Sequence, residues 1–124
     1  MKTRIILLLT YSVLLGTLWT GCSDKRTGEP RVLVFTKTAG FHHAAIPDGV
    51  KAIQKLGAKH HFIVDTTSNS DKFTEDTLKQ YAAVIFLNTT GDVLDAAQQA
   101  DFERYIQAGG GYLGVHAASD CEYK

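Results

Sequence analysis

Beyond its first thirty positions the chain alternates short, mostly apolar runs with longer stretches in which apolar residues recur at helical spacing. Val32-Leu33-Val34-Phe35 has the length and continuity of a strand buried on both faces of a parallel sheet, and His61-Phe62-Ile63-Val64, Ala83-Val84-Ile85-Phe86-Leu87 and Tyr112-Leu113-Gly114-Val115 are the further strand candidates. Between the first two, Pro47 suits a first helical position, Val50, Ile53 and Leu56 share one face, and Gly57 is placed to end the helix in a left-handed turn. Ser68, Asn69 and Ser70 predict a polar loop after the second run.

Thr74 can cap a short helix whose first turn carries Glu75 and Asp76, with Leu78 and Tyr81 facing inward. Asp95 and Gln98 form a capping box before a helix running to about Ala108, for which Phe102, Tyr105 and Ile106 supply the buried face. Gly109-Gly110-Gly111 then stops that helix. Strand and helix alternate over short loops, which predicts an α/β fold with an open, doubly wound parallel sheet of about four strands. A single layer with an unpaired edge is marginal in a domain this small.

The front of the chain belongs to a different regime. Lys2 and Arg4 precede an apolar run from Ile5 to Trp19, shorter than the about 20 residues of a membrane span. Thr20-Gly21-Cys22 follows, and the segment resembles a bacterial lipobox, which implies that residues 1–21 are a lipoprotein signal peptide and that Cys22 is lipidated. Trp19 stands where such motifs usually carry Leu, Val or Ile, and a plain secretory signal with an incidental cysteine is the alternative. Each buried methylene of an acyl chain contributes about 0.8 kcal/mol to anchoring. Residues 22–30 read as a flexible tether and residues 31–124 as the domain, expected to sit in the cell envelope.

The formal net charge is +0, with thirteen basic and thirteen acidic residues interspersed, so no face is prepared for nucleic acid. A lipidated Cys22 would leave Cys121 without an intramolecular disulfide partner. Cys121 lies past the last strand with no activating group in sequence, so it reads as an inert thiol.

In such sheets ligands bind outside the carboxyl ends of the strands. That rule selects Thr36 to His43 after the first strand, Asn88 to Asp92 after the third and His116 to Asp120 after the fourth, which meet on one rim if the strand order is 2-1-3-4, as in flavodoxin. His116 sits at a strand end in Gly114-Val115-His116-Ala117-Ala118, the small-flanked pattern of a nucleophile elbow. An imidazole there suits general acid or base work, or metal binding, better than covalent catalysis. A helix-capping or space-filling His116, a solvated His42-His43 pair, and Asp92 and Asp120 as ordinary surface carboxylates are the structural alternatives.

Taken together, Thr36-x-Thr38-x-Gly40-Phe41-x-His43, Asn88-Thr89-Thr90-Gly91-Asp92 and Gly109-Gly110-Gly111-Tyr112-Leu113-Gly114-Val115-His116-Ala117-Ala118-Ser119-Asp120 resemble the ThuA-like family, associated with trehalose utilisation. The resemblance runs from Arg31 to the chain end and implies a fold similar to class I glutamine amidotransferases. Where those enzymes present a thioester-forming cysteine, this chain has His116, so glutaminase activity is not expected. The resemblance further implies a domain longer than residues 31–124, of which this chain is the N-terminal part.

The expected function is processing of a trehalose-like disaccharide or keto-sugar by a lipid-anchored protein, hydrolase or lyase in type. His116 would be catalytic, with Thr38, Gly40, His43, Thr90, Gly91, Asp92 and Asp120 binding substrate. No cofactor is evident, although a divalent metal on His43 and His116 stays open. A non-enzymatic glycan-binding lipoprotein and an inactive fragment are the competing readings, and the sequence does not set the oligomeric state.

Overall fold

The computed structural model describes residues 28–122. The leader and Cys22 lie outside the described residues, and no described helix is long and apolar enough to cross a membrane. Four strands form one sheet: β1 (Arg31–Phe35), β2 (Ile63–Thr67), β3 (Ala83–Leu87) and β4 (Gly111–Val115). Their order is β2-β1-β3-β4 and every pairing is parallel, as the alternation of strand and helix requires.

Helices cover both faces. α1 (Ile46–His60) lies over Val34, Ile85 and Leu87, with Val50, Ile53 and Val64 packed against them. On the other face α2 (Glu75–Leu78) and α3 (Ala96–Gln107) enclose Leu33, Phe35, Val84 and Phe86 together with Phe73, Leu78, Tyr81 and Tyr105. Neighbouring residues of β1 and β3 therefore feed opposite cores, which is why those strands read as unbroken apolar runs.

The local start signals act as the residue types dictate. The Thr74 side chain accepts from the Thr77 amide, and Asp95 with Gln98 makes both halves of the capping box. The predicted boundaries of α1 and β2 need correction. The helix starts one residue before Pro47 and runs three past Gly57, and His61, not Gly57, takes the left-handed turn at φ 59°. A Cβ at Gly57 would lie 2.7 Å from both the Phe62 carbonyl oxygen and Val64 Cγ2, so this glycine serves close packing of helix on strand. The extra turn moves β2 from the expected 61–64 to 63–67.

Two residues expected inside are not. Leu56 is 49% exposed and Ile106 39% exposed, each at the margin of its helix's buried stripe. Conversely, Phe73 is fully buried at the end of a 3-10 turn over Ser70–Lys72, and its ring lies 4.6 Å from Phe35. Set among Asp71, Lys72 and Thr74, it carries no periodic signal in the sequence. β4 is an edge strand of the described sheet and leaves Tyr112 and Leu113 exposed.

Candidate functional site

The parallel pairing does not stop at the strand ends. Thr38 bridges Thr90 and Gly91 bridges Cys121, so the loops leaving β1, β3 and β4 run side by side along one rim. The amides of Ala39 and Gly40 donate to the Thr90 carbonyl at 2.7 and 3.2 Å, and the Thr90 hydroxyl donates to the Phe41 carbonyl at 2.9 Å. Gly91, at φ 72°, stands where a Cβ would lie 3.2 Å from Ala39 Cβ and from the Gly40 amide nitrogen. Close approach of two backbones explains this glycine, and the buried Thr90 hydroxyl is committed to holding the first loop.

On the β4 side the Gly91 amide donates to the Asp120 carbonyl at 2.9 Å. The Glu122 carboxylate accepts from the amides of Val93 and Leu94 at 2.8 and 2.9 Å and also from Gln99. Three loops are thereby tied into one surface before any ligand is considered.

His116 follows β4 directly and opens a 3-10 turn over His116–Ser119, with a left-handed φ of 55°. Non-glycine residues adopt this region uncommonly, and the conformation lifts the side chain out of the strand's own alternation. Small neighbours permit the turn, since a Cβ on Gly114 would already stand 3.3 Å from Ala118 Cβ. The His116 ring is exposed and lies 4.7 Å from His43, edge to face at 86°. His43 in turn meets Phe41 at 4.8 Å, and Phe41 is 70% exposed.

His43 and His116 border an open cleft of about 470 Å³ that is also lined by Leu87, Val115 and the N-terminal part of α1. Asn88, which also lines it, is a residue that sequence reasoning singled out only as part of a loop. It is 7% exposed, has φ 54°, and among the described residues no partner meets its buried Oδ1. An asparagine directly after a buried strand tolerates the left-handed region, which is the one sequence signal that pointed to it.

The remaining predicted residues divide. Thr38 lies on the rim with its Oγ1 at 3.3 Å from His42 Nδ1. Gly40 and Gly91 shape the contact between loops. Asp120 is exposed, and its backbone caps the turn after His116. Asp92 borders a different depression, of about 520 Å³, which contains Lys37 but no histidine. That second depression is larger, yet its central groups satisfy one another: Lys37 Nζ donates to Ser70 Oγ at 2.6 Å and to the Val93 carbonyl at 3.0 Å. The histidine cleft is the stronger candidate, because two neighbouring imidazoles border it.

Cys121 is no rival. Its thiol donates to the Ala118 carbonyl at 3.0 Å and packs against the aromatic core. Burial pushes its pKa up, with Asp120 and Glu122 adding to the rise and the Thr89 hydroxyl opposing it, so the reactive thiolate is disfavoured. Among the described residues no three His, Cys, Asp or Glu side chains come together to hold a metal ion. The cleft supplies imidazoles for proton transfer.

The fold agrees with that of a solved structure. A crystal structure of a protein of Bacteroides uniformis ATCC 8492 described as ThuA-like superposes with a TM-score of 0.63 at 27% identity, covering 76% of this chain and 38% of that one. This chain therefore spans well under half the length of that protein. No curated protein is similar enough to count as a relative. The family model described as "ThuA: Trehalose utilisation" matches residues 31–124, and the chain belongs to that family.

Proposed function

We propose that the chain carries the rim of a carbohydrate-processing site, acting on a trehalose-like disaccharide or its keto derivative with His116 as general acid or base. The family description supports the substrate class. The observation that carries the reading is the placement of His116 at a left-handed strand tip with its ring 4.7 Å from His43 inside an open cleft. An exposed imidazole beside a second one can take a proton from a sugar hydroxyl and return it to a leaving oxygen, whereas the thiol of Cys121 is withheld in a hydrogen bond to Ala118. Glutamine hydrolysis through a thioester is not part of this reading, since His116 stands at the elbow position where that chemistry needs a cysteine. In this reading the protein is exported and lipid-anchored through Cys22, with a small carbohydrate as its partner, nucleic acid playing no part.

The test is conversion of trehalose and of its keto derivative by the full-length protein and by His116→Ala. Loss of conversion in the variant is expected, and equal rates would remove His116 from the mechanism. A second reading, glycan binding without turnover, is favoured by the absence of a serine or cysteine at the elbow, where Ala117 and Ala118 follow His116. Calorimetric titration with disaccharides separates the two, because binding without conversion selects the second.

A further inference from the structure

Phe41 is the most exposed of the large apolar side chains among the described residues, at 70%. The others have a reason in the fold: Leu56 and Ile106 sit at the margins of helix stripes, and Ile63, Tyr112 and Leu113 lie on edge strands. Phe41 belongs to a loop, where an isolated exposed ring would need no explanation. It is not isolated. Its ring centroid lies 4.8 Å from that of His43 at 76°, and His43 lies 4.7 Å from His116 at 86°. Three rings from two loops thus form one row, and the two imidazoles of that row border the cleft.

The loop is built to keep the phenyl ring where it is. Thr90 is 2% exposed, and its hydroxyl donates to the Phe41 carbonyl at 2.9 Å while its own carbonyl accepts from the amides of Ala39 and Gly40 at 2.7 and 3.2 Å. A backbone pinned to a buried residue on this side does not carry Phe41 back toward the core. The ring therefore stays in water in the free protein, and covering it is favourable for whatever ligand can do so.

The neighbours of the ring set the kind of ligand. Imidazoles donate and accept hydrogen bonds, so an occupant matched to the whole row carries apolar surface and hydroxyl groups on one small body. A pyranose has both, a face of C–H bonds that lies flat on an aromatic ring and hydroxyls around its edge. An aliphatic chain would match the phenyl ring alone.

We propose that Phe41 is the stacking platform of the carbohydrate site, holding one ring of the disaccharide by its C–H face while His43 and His116 meet the hydroxyls and the glycosidic oxygen beside it. The inference rests on the carbohydrate reading above for the ligand class and adds the residue that governs affinity for the ring. It concerns binding; turnover stays with His116.

The full-length protein with Phe41 replaced by Ala, Leu or Trp is titrated calorimetrically with trehalose and with its keto derivative, and thermal melting of each variant is recorded without ligand. Phe41→Ala is expected to lose about tenfold or more in affinity at an unchanged melting temperature, since the ring it removes is exposed in the free protein. Phe41→Leu keeps apolar bulk without a flat face and should bind nearly as poorly, whereas Phe41→Trp should bind at least as tightly as the wild type. Wild-type affinity in Phe41→Ala or Phe41→Leu overturns the inference and leaves the sugar reading standing. A lowered melting temperature in Phe41→Ala would show that the ring packs against protein in the full-length chain, which overturns it as well. No binding of either sugar by the wild type overturns it together with the sugar reading. Binding that depends on the Phe41 ring without conversion of the sugar upholds it while the catalytic reading falls.

Discussion

Glycine at position 116 should make the protein more stable than alanine there, although both remove the imidazole. His116 is held at φ 55°, where an L-residue carries a strain of about 1–2 kcal/mol. Glycine carries none of it, but loses about 0.5–1 kcal/mol to alanine through the greater freedom of its unfolded chain. At the middle of both ranges His116→Gly stands ahead of His116→Ala by roughly 0.75 kcal/mol. The edge contact with His43 is lost equally in both variants and cancels from the comparison.

For a domain of about 60–100 residues, 1 kcal/mol shifts Tm by roughly 4–8 °C, so the glycine variant should melt about 3–6 °C above the alanine variant. Thermal unfolding followed by circular dichroism at one scan rate measures this directly. Both variants should fail to convert substrate, which would separate the strained backbone from the ring it presents. Equal melting temperatures, or alanine melting higher, would mean that position 116 is not left-handed in solution, and the elbow geometry would fall with it.

Two further expectations concern the core and the thiol. A Cβ at Gly110 would stand 2.2 Å from Tyr105 Cζ, so Gly110→Ala must displace a ring that is buried and donates to the Tyr81 and Gly111 carbonyls; it should lower stability by about 1–3 kcal/mol, measured by urea unfolding, and a neutral outcome would show that the ring has room to move. In a Cys22→Ser background, alkylation of Cys121 should be far slower than that of a free cysteine at neutral pH; because its folded pKa is raised, the unfolded thiol ionises first, so stability should fall as pH rises past the ordinary thiol value of 9.0, and a rising or flat profile attributable to Cys121 would contradict its burial.

What the sequence made legible was whatever a residue does by its own chemistry. The β3 run from Ala83 to Leu87 coincides with its strand, and the caps at Thr74 and Asp95 act where their side chains can reach. What it hid was whatever a residue does for another element. Gly57 looked like a helix stop, yet the helix passes through it, and the position is glycine because Phe62 and Val64 leave no space for a side chain. Phe73 joins Phe35, Phe86 and Phe102 only once three elements have met. The same division runs through the site: small flanking residues marked His116, whereas nothing local revealed that Asn88 would be buried without a partner, or that Asp92 would turn toward the depression beside Lys37.

The rim also explains how this fold holds the residues at two neighbouring strand tips in the left-handed region, which is a strained conformation for His116. Strain at a strand tip relaxes if the chain on either side can move, so it survives only where both sides are fixed. Before Asn88 and His116 the ladder between β3 and β4 is continuous up to Leu87 and Val115. After them Thr90 is bridged to Thr38 and Gly91 to Cys121, and the Glu122 carboxylate fastens the following amides. Each of these residues thus lies between two clamps on the same surface, and the cleft they border is shaped before a ligand arrives. An imidazole fixed in this way needs no further ordering when a substrate binds, which is the condition under which its interactions are expressed as recognition and rate instead of being spent on reorganisation.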